Sequence, residues 1–357
     1  MIYAPIALDT SMSTLQIRQH ASHFAASTFV LTMLVAGASP AAAASQASAC
    51  RLSANREAPT VTVRSGSRVR EVKLFLPSAY DGKRPLPLVF DLHGSNGSGE
   101  NQAMNSDFAK TAEKHGFAVA WPDGGVTLPE APTAHYWNIS GLPLTGNNPM
   151  PANAPDDVAF FSDAIDQIAA SYCIDVSRIY VAGHSGGARM SSLLACRLAD
   201  RIAAVAPVVG LRAGLPLTTD PSRPDPESCQ PSCAIPIVAF HGTDDLTNPY
   251  AGGGNIYWQY GVEAAVNRWV ELNGCGATPV VELIAAHVER RRYVGCRNNV
   301  VVEFNRIDAS GELGGGHTWP GSPRRREPAP GNEPNYPSTE LSASERIWEF
   351  FSQYHLQ

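Results

Sequence analysis

The stretch from Arg178 to Met190, reading Arg-Ile-Tyr-Val-Ala-Gly-His-Ser-Gly-Gly-Ala-Arg-Met, limits what this chain can fold into more than any other. A short β-rich run, Ile179 to Ala182, passes straight into Gly183-His184-Ser185-Gly186-Gly187. Apolar residues then recur at helical spacing through Leu193, Leu194 and Leu198. The order reads as strand, sharp turn and helix. The turn needs glycine two residues before and two after the serine, because side chains there would collide around a strained backbone. Ser185 is therefore expected to project its hydroxyl at a helix N-terminus, where free amides and the helix dipole favour developing negative charge. A G-x-S-x-G string is short enough to arise by chance, so its meaning depends on partners elsewhere in the chain.

The rest of the chain alternates strands with helices. Val61 to Val63 and Val69 to Leu76 alternate apolar and polar residues, as half-exposed antiparallel strands do. Leu88-Val89-Phe90-Asp91-Leu92 is a run typical of a strand buried on both faces, and it ends in His93-Gly94-Ser95-Asn96-Gly97. The patterning predicts a helix over Met104 to His115, a strand over Phe117 to Trp121, and a helix over Val158 to Tyr172 capped by Asp156-Asp157. Buried strands follow at Ile202 to Val209, Ile237 to Phe240 and Val300 to Ile307, with a helix over Tyr257 to Leu272 and a hairpin of Val280 to Ile284 and Arg290 to Val294. Ser338 is expected to open a closing helix that packs Ile347, Trp348, Phe350 and Phe351. These elements define an α/β fold with a mostly parallel central sheet and helices on both faces, in a single domain over residues 61–357. Neither an internal repeat nor an appended polymer-binding module is expected. The Pro-, Gly- and Asn-rich segment from Val126 to Pro155 lacks periodicity and is read as a wall of the cleft, since loops this long are commonly functional. Trp137, in its middle, either faces that cleft or plugs the loop onto the core.

With 357 residues, a net charge of -6 and 44% hydrophobic residues, the composition suits one domain with a large core and gives no sign of a nucleic-acid partner. The N-terminus is separate. Arg18 precedes an apolar run from Phe24 to Ala38, too short to span a bilayer, and small residues end at Ala42-Ala43-Ala44. This pattern predicts a cleaved secretory signal over residues 1–44, a flexible lead over 45–60, and a secreted product with no membrane association after cleavage. Seven cysteines agree with an oxidising compartment. Cys275 and Cys296 are the first choice for a bridge, Cys196 reaches either Cys229 or Cys233, and Cys50 and Cys173 are left unassigned. Cys50 is a poor lipid-anchor site, because the large aliphatic residue expected three positions earlier is missing. Cys229 and Cys233 have no histidine pair nearby, so no zinc site is expected.

Three side chains stand just past the ends of predicted strands in the order Ser185, Asp245, His317. That is the Ser, acid, His order of an α/β-hydrolase sheet. A serine hydroxyl needs an imidazole to take its proton as it attacks a carbonyl, and the carboxylate holds that imidazole in the right tautomer. The amide of Gly186 is the expected first oxyanion donor and the amide of Ser95 the second. Asp244 and Asp245 are adjacent and cannot both point at His317. His93 and His241 each precede a glycine at a strand end, where a structural hydrogen bond is at least as fitting as catalysis. His184 is expected to turn from the cleft, although its place beside Ser185 also makes it a candidate substrate contact. Other readings of the same residues are a serine peptidase, or a binding protein on a retired hydrolase scaffold.

The chain resembles the secreted feruloyl esterase and polyhydroxybutyrate depolymerase family of α/β-hydrolases from about Arg70 to Phe351. The resemblance is carried by Pro87-Leu88-Val89 leading to His93-Gly94, Trp121-Pro122-Asp123-Gly124, Trp137-Asn138, Asp156-Asp157-Val158 and the Ser185 turn with its extra Gly187. It continues through Ala206-Pro207-Val208, His241-Gly242-Thr243, Pro249-Tyr250, Asn273-Gly274-Cys275, Gly295-Cys296 and Gly315-Gly316-His317-Thr318-Trp319-Pro320. The resemblance implies that Asp245 is the acid and that carboxylic esters are cleaved through an acyl-enzyme without metal or cofactor. Trp137, Trp319, Tyr250 and His184 lie within these motifs and are the candidate substrate contacts. The expected substrate is a soluble hydroxycinnamate or short hydroxyalkanoate ester. The acyl group, the alcohol and the oligomeric state are left open.

Overall fold

The computed structural model describes Cys50, residues 59–324 and residues 336–356, all within one compact unit, Ser48–Gln357. The expected signal at 1–44 and most of the lead at 45–60 lie outside the described residues.

Ten strands form one sheet: β1 (Thr60–Ser65), β2 (Arg68–Phe75), β3 (Leu86–Leu92), β4 (Ala118–Pro122), β5 (Ile174–His184), β6 (Ala204–Val208), β7 (Ile237–Gly242), β8 (Val280–Ala285), β9 (Val288–Tyr293) and β10 (Val302–Ile307). Their spatial order is β1-β2-β4-β3-β5-β6-β7-β10-β9-β8. The six central strands, β4 to β10 in that order, run parallel, and an antiparallel pair closes each edge. Strand alternation divides the core. Leu88, Phe90 and Leu92 of β3 join the apolar layer on one face, and Val89 joins the layer on the other.

The first layer is covered by α3 (Asp157–Ser171), α4 (Gly186–Arg197) and α5 (Val262–Asn273), and the second by α2 (Phe108–His115) and α6 (Ala343–Phe351). On α3, Phe160, Phe161, Ala164, Ile165 and Ile168 make one buried stripe at helical spacing. The helix is capped by Asp156, whose carboxylate accepts the Ala159 amide at 3.0 Å. Its neighbour Asp157 is turned inward, where it meets Arg70 of β2 at 2.6 Å and accepts the Asn138 amide at 2.7 Å. Burial pushes the Asp157 carboxyl up, with Arg70 only partly offsetting it.

Several sequence expectations need correction. The single helix expected over Met104 to His115 is two, α1 (Gly99–Ser106) and α2, broken at Asp107 with φ 52°. Ser98 caps α1 early, and Gln102 and Ser106 of that helix bond to Asp91 of β3 at 2.8 and 2.5 Å, which ties α1 to β3. The Val126 to Pro155 segment contains a hairpin, Val126–Leu128 with Ala131–Tyr136, tied to the cleft loop by a Gly97 and His135 bridge. Tyr257 and Trp258 precede α5 rather than begin it, because Tyr260 first pairs back to Gly252 and Gly261 is the cap. Ser342, not Ser338, caps the last helix through the Glu345 amide.

Three disulfides are present: Cys275 with Cys296, Cys196 with Cys229, and Cys50 with Cys173. Of the two partners considered for Cys196, Cys233 is the one left as a thiol. The Cys50 sulfur is occupied by Cys173 and so is not open to a lipid thioether. No helix among the described residues is long and apolar enough to cross a membrane.

Removing one partner of the Arg70 and Asp157 pair strands a buried carboxylate. We expect Arg70→Ala to lower unfolding free energy in urea by about 3 kcal/mol; a loss under about 1 kcal/mol would show that the pair is not a structural tie.

Candidate active site

The turn between β5 and α4 has almost no room for side chains. A Cβ on Gly183 would lie 2.4 Å from the Gly187 carbonyl, and one on Gly187 would lie 2.2 Å from the Leu92 carbonyl of β3. The chain can reverse there because glycine occupies both places. Between them Ser185 is held at φ 54°, ψ -110°, a conformation that costs a non-glycine residue roughly 1–3 kcal/mol. Its amide donates to Val208 O of β6 at 2.9 Å, so the neighbouring strand fixes the turn.

Ser185 is 9% exposed, and its Oγ lies 2.7 Å from His317 Nε2. His317 Nδ1 lies 2.8 Å from Asp245 Oδ2. An ionised carboxylate can only accept, so the proton resides on Nδ1 and leaves Nε2 to accept the serine hydroxyl. Of the two adjacent aspartates, Asp245 is the one at His317. Its Oδ1 accepts the amides of Thr247 and Asn248 at 2.9 and 2.8 Å, and His241 Nε2 stands 3.2 Å from Oδ2. Burial raises the carboxyl pKa, but the His317 charge and the hydrogen bonds from His241 and His317 outweigh it and hold Asp245 well below the usual carboxylate range.

The loop after β3 packs against the same turn. A Cβ on Gly186 would fall 2.6 Å from the Ser95 amide nitrogen and 2.4 Å from Ser95 Oγ, so the two backbones lie side by side. His93 fixes this loop. The Gly124 amide donates to His93 Nε2 at 2.8 Å; that nitrogen must therefore be unprotonated, and Nδ1–H donates to Gly94 O at 2.7 Å. Burial pulls the His93 pKa down to about 4.

Arg189, which sequence reasoning passed over, also reaches Ser95, its Nη2 donating to Ser95 Oγ at 2.9 Å. The signal was its spacing: four residues after Ser185 is about one helical turn, hence the same face of α4.

The cleft beside His317 is about 390 Å3 and is lined by Asn96, Asn101, Asn105, His184, Thr318 and Arg324 among others. His184 thus borders the cleft, with its ring centroid 5.2 Å from that of His317, contrary to the expectation that it turns away. The aromatic candidates are mostly packed into the fold, although Trp319 also lines this cleft. Trp137 is 3% exposed and donates to His93 O at 2.8 Å; Trp319 is 1% exposed, donates to Ser344 Oγ at 3.1 Å and meets Phe108 edge-on. Tyr250 bonds to Glu263 and packs near Phe304 and His241. Among the described residues no three His, Cys, Asp or Glu side chains are grouped so as to hold a metal ion.

A parallel sheet with helices on both faces and a serine on the turn after a central strand is the α/β-hydrolase fold. The solved acetyl xylan esterase from Aspergillus awamori matches it with a TM-score of 0.54 at 14% identity, over 82% of this chain and 98% of that one. The family model for esterase PHB depolymerase matches residues 71–220. Feruloyl esterase B of Piromyces equi is 32% identical over 254 residues, covering 70% of this chain and 42% of that protein. The chain thus spans about two-fifths of that relative's length. Feruloyl esterase D of Neurospora crassa is 26% identical over 93% of this chain and 99% of its own. The chain is thus similar to the esterase PHB depolymerase family over residues 71–220 and to feruloyl esterases over most of its length.

His93 takes up a proton less readily in the folded protein than in the unfolded chain. Its contribution is complete above the unfolded value near 6.5 and is lost as pH falls through about 4, amounting to about 3 kcal/mol. Nitrogen-15 spectra at pH 5 should find the His93 ring neutral with its proton on Nδ1; a ring that protonates near pH 6.5 would contradict this arrangement.

Proposed function

We propose that the protein is a secreted serine carboxylic-ester hydrolase in which Ser185 is the nucleophile, His317 the general base and acid, and Asp245 the group that orients His317. The observation that carries this reading is the continuous hydrogen-bonded chain from Ser185 Oγ through both His317 nitrogens to Asp245. In the acylation step His317 Nε2 takes the Ser185 proton as Oγ bonds to the ester carbonyl carbon, and the resulting imidazolium is stabilised by the Asp245 carboxylate. The oxyanion is received by the amides of Gly186 and Ser95, which lie side by side at the start of α4. His317 then returns its proton to the leaving alcohol; water, deprotonated by the same nitrogen, attacks the acyl carbon, and that proton passes to Ser185 Oγ as the acid leaves.

The asparagines of the cleft favour a polar, hydroxyl-bearing alcohol, and the feruloyl esterase relatives favour a hydroxycinnamoyl acyl group. Three disulfides and the leader-like residues 1–44 support export to an oxidising compartment, and residues 61–357 are proposed as the catalytic domain.

Hydrolysis of methyl ferulate tests the assignment. Ser185→Ala is expected to lower kcat by at least about 10^4-fold with circular dichroism unchanged, and Asp245→Asn by about 10^4-fold through loss of the correct tautomer. Undiminished turnover by Ser185→Ala would end the reading.

A further inference from the structure

Along α4, with no lining residue in common with the asparagine-lined cleft, lies a second, larger cavity of about 570 Å3, within the range of small-molecule sites. Its lining includes three arginines, Arg189, Arg197 and Arg212, and apolar side chains such as Leu193 and Leu215. The one carboxylate among its lining residues, Asp156, is exposed and caps α3.

Two of these arginines are in an unusual state. Arg189 and Arg212 are each 4% exposed, and among the described residues neither meets a carboxylate. Arg212 donates to the carbonyls of Tyr260 and Trp258 and stacks on both rings, while Arg189 donates to Ser95 Oγ and lies over Tyr257. Carbonyl dipoles and ring faces solvate a guanidinium but do not cancel its charge. The buried Nε of each has no hydrogen-bond partner. Burial lowers both pKa values, and the charge of Arg212 lowers that of Arg189 further. Two desolvated cations facing one cavity without a counter-ion are costly unless an anion completes the site.

We infer that this cavity binds a carboxylate joined to a short carbon skeleton, the carboxylate meeting Arg189 and Arg212 and the skeleton lying on Leu193 and Leu215. Arg189 also touches Ser95, so the site adjoins the reaction centre and suits ester substrates that carry a second, free carboxylate. That last step rests on the ester-hydrolase reading; binding itself does not.

Isothermal titration of the intact Ser185→Ala protein with glutarate reads the site without turnover, and wild-type hydrolysis of p-nitrophenyl butyrate reports separately on the esterase reading. Glutarate is expected to bind one site. Arg212→Gln should weaken it at least tenfold. Leu193→Glu keeps the arginine contacts intact, supplies them with an internal carboxylate, and should weaken glutarate equally. Wild-type protein should prefer mono-p-nitrophenyl glutarate to p-nitrophenyl valerate in kcat/KM, a preference that Leu193→Glu loses. Absence of glutarate binding, unchanged binding in Leu193→Glu, or inorganic phosphate binding as tightly as glutarate would each overturn the inference.

Discussion

Close approach of glycine to backbone, at the turn joining β5 to α4, is the constraint on which the rest depends. Gly183 lies against Gly187, and Gly187 lies against the Leu92 carbonyl, so the start of α4 is pressed onto the end of β3. Any side chain at either place would push α4 off the sheet. With α4 seated, Ser185 is locked at positive φ and the Ser95 loop is brought beside Gly186. The strain at Ser185 persists because the Val208 carbonyl, the glycine contacts and the helix over-determine its backbone.

Two histidines near this turn share a protonation pattern and differ in surroundings. His93 and His317 both carry their proton on Nδ1, the first by the Gly124 amide at Nε2 and the second by Asp245. His93 is sealed in the core, accepts an amide and is held neutral, so it serves as a strut for the loop bearing Ser95. His317 has an ionised carboxylate behind it and a hydroxyl in front, the surroundings that let an imidazole gain and give up a proton. Position beside a strand end does not distinguish such residues; the partner on the second ring nitrogen does.

Much of this arrangement was legible in the sequence. The β3, β5, β7 and β10 strands announce themselves as apolar runs, and glycine spacing around Ser185 together with the order Ser185, Asp245, His317 indicates a single fold. What could not be read follows from tertiary context. Asp107 takes a left-handed conformation that divides one periodic segment into α1 and α2, and α1 is tied to Asp91, a residue of another element. Trp137 and Trp319 sit in polar, glycine-rich motifs, yet each indole finds a partner for its N–H in the interior, so their aromatic character reports on packing, even though Trp319 also borders the cleft. Arg189 was hidden for the opposite reason: a charged residue on a helix reads as solvent-facing, whereas the fold buries it with Nη2 on Ser95 Oγ.

The central claim is that the Ser185 hydroxyl, the His317 ring and the paired amides of Gly186 and Ser95 converge on one reacting carbon. A crystal structure of the protein treated with an alkyl phosphonate ester tests it most directly, since the tetrahedral phosphorus mimics the intermediate. The account predicts phosphorus bonded to Ser185 Oγ and its free oxygen within hydrogen-bonding distance of both amides, about 2.7–3.1 Å. A phosphonyl oxygen directed away from Ser95, or a label carried by any other residue, would contradict it.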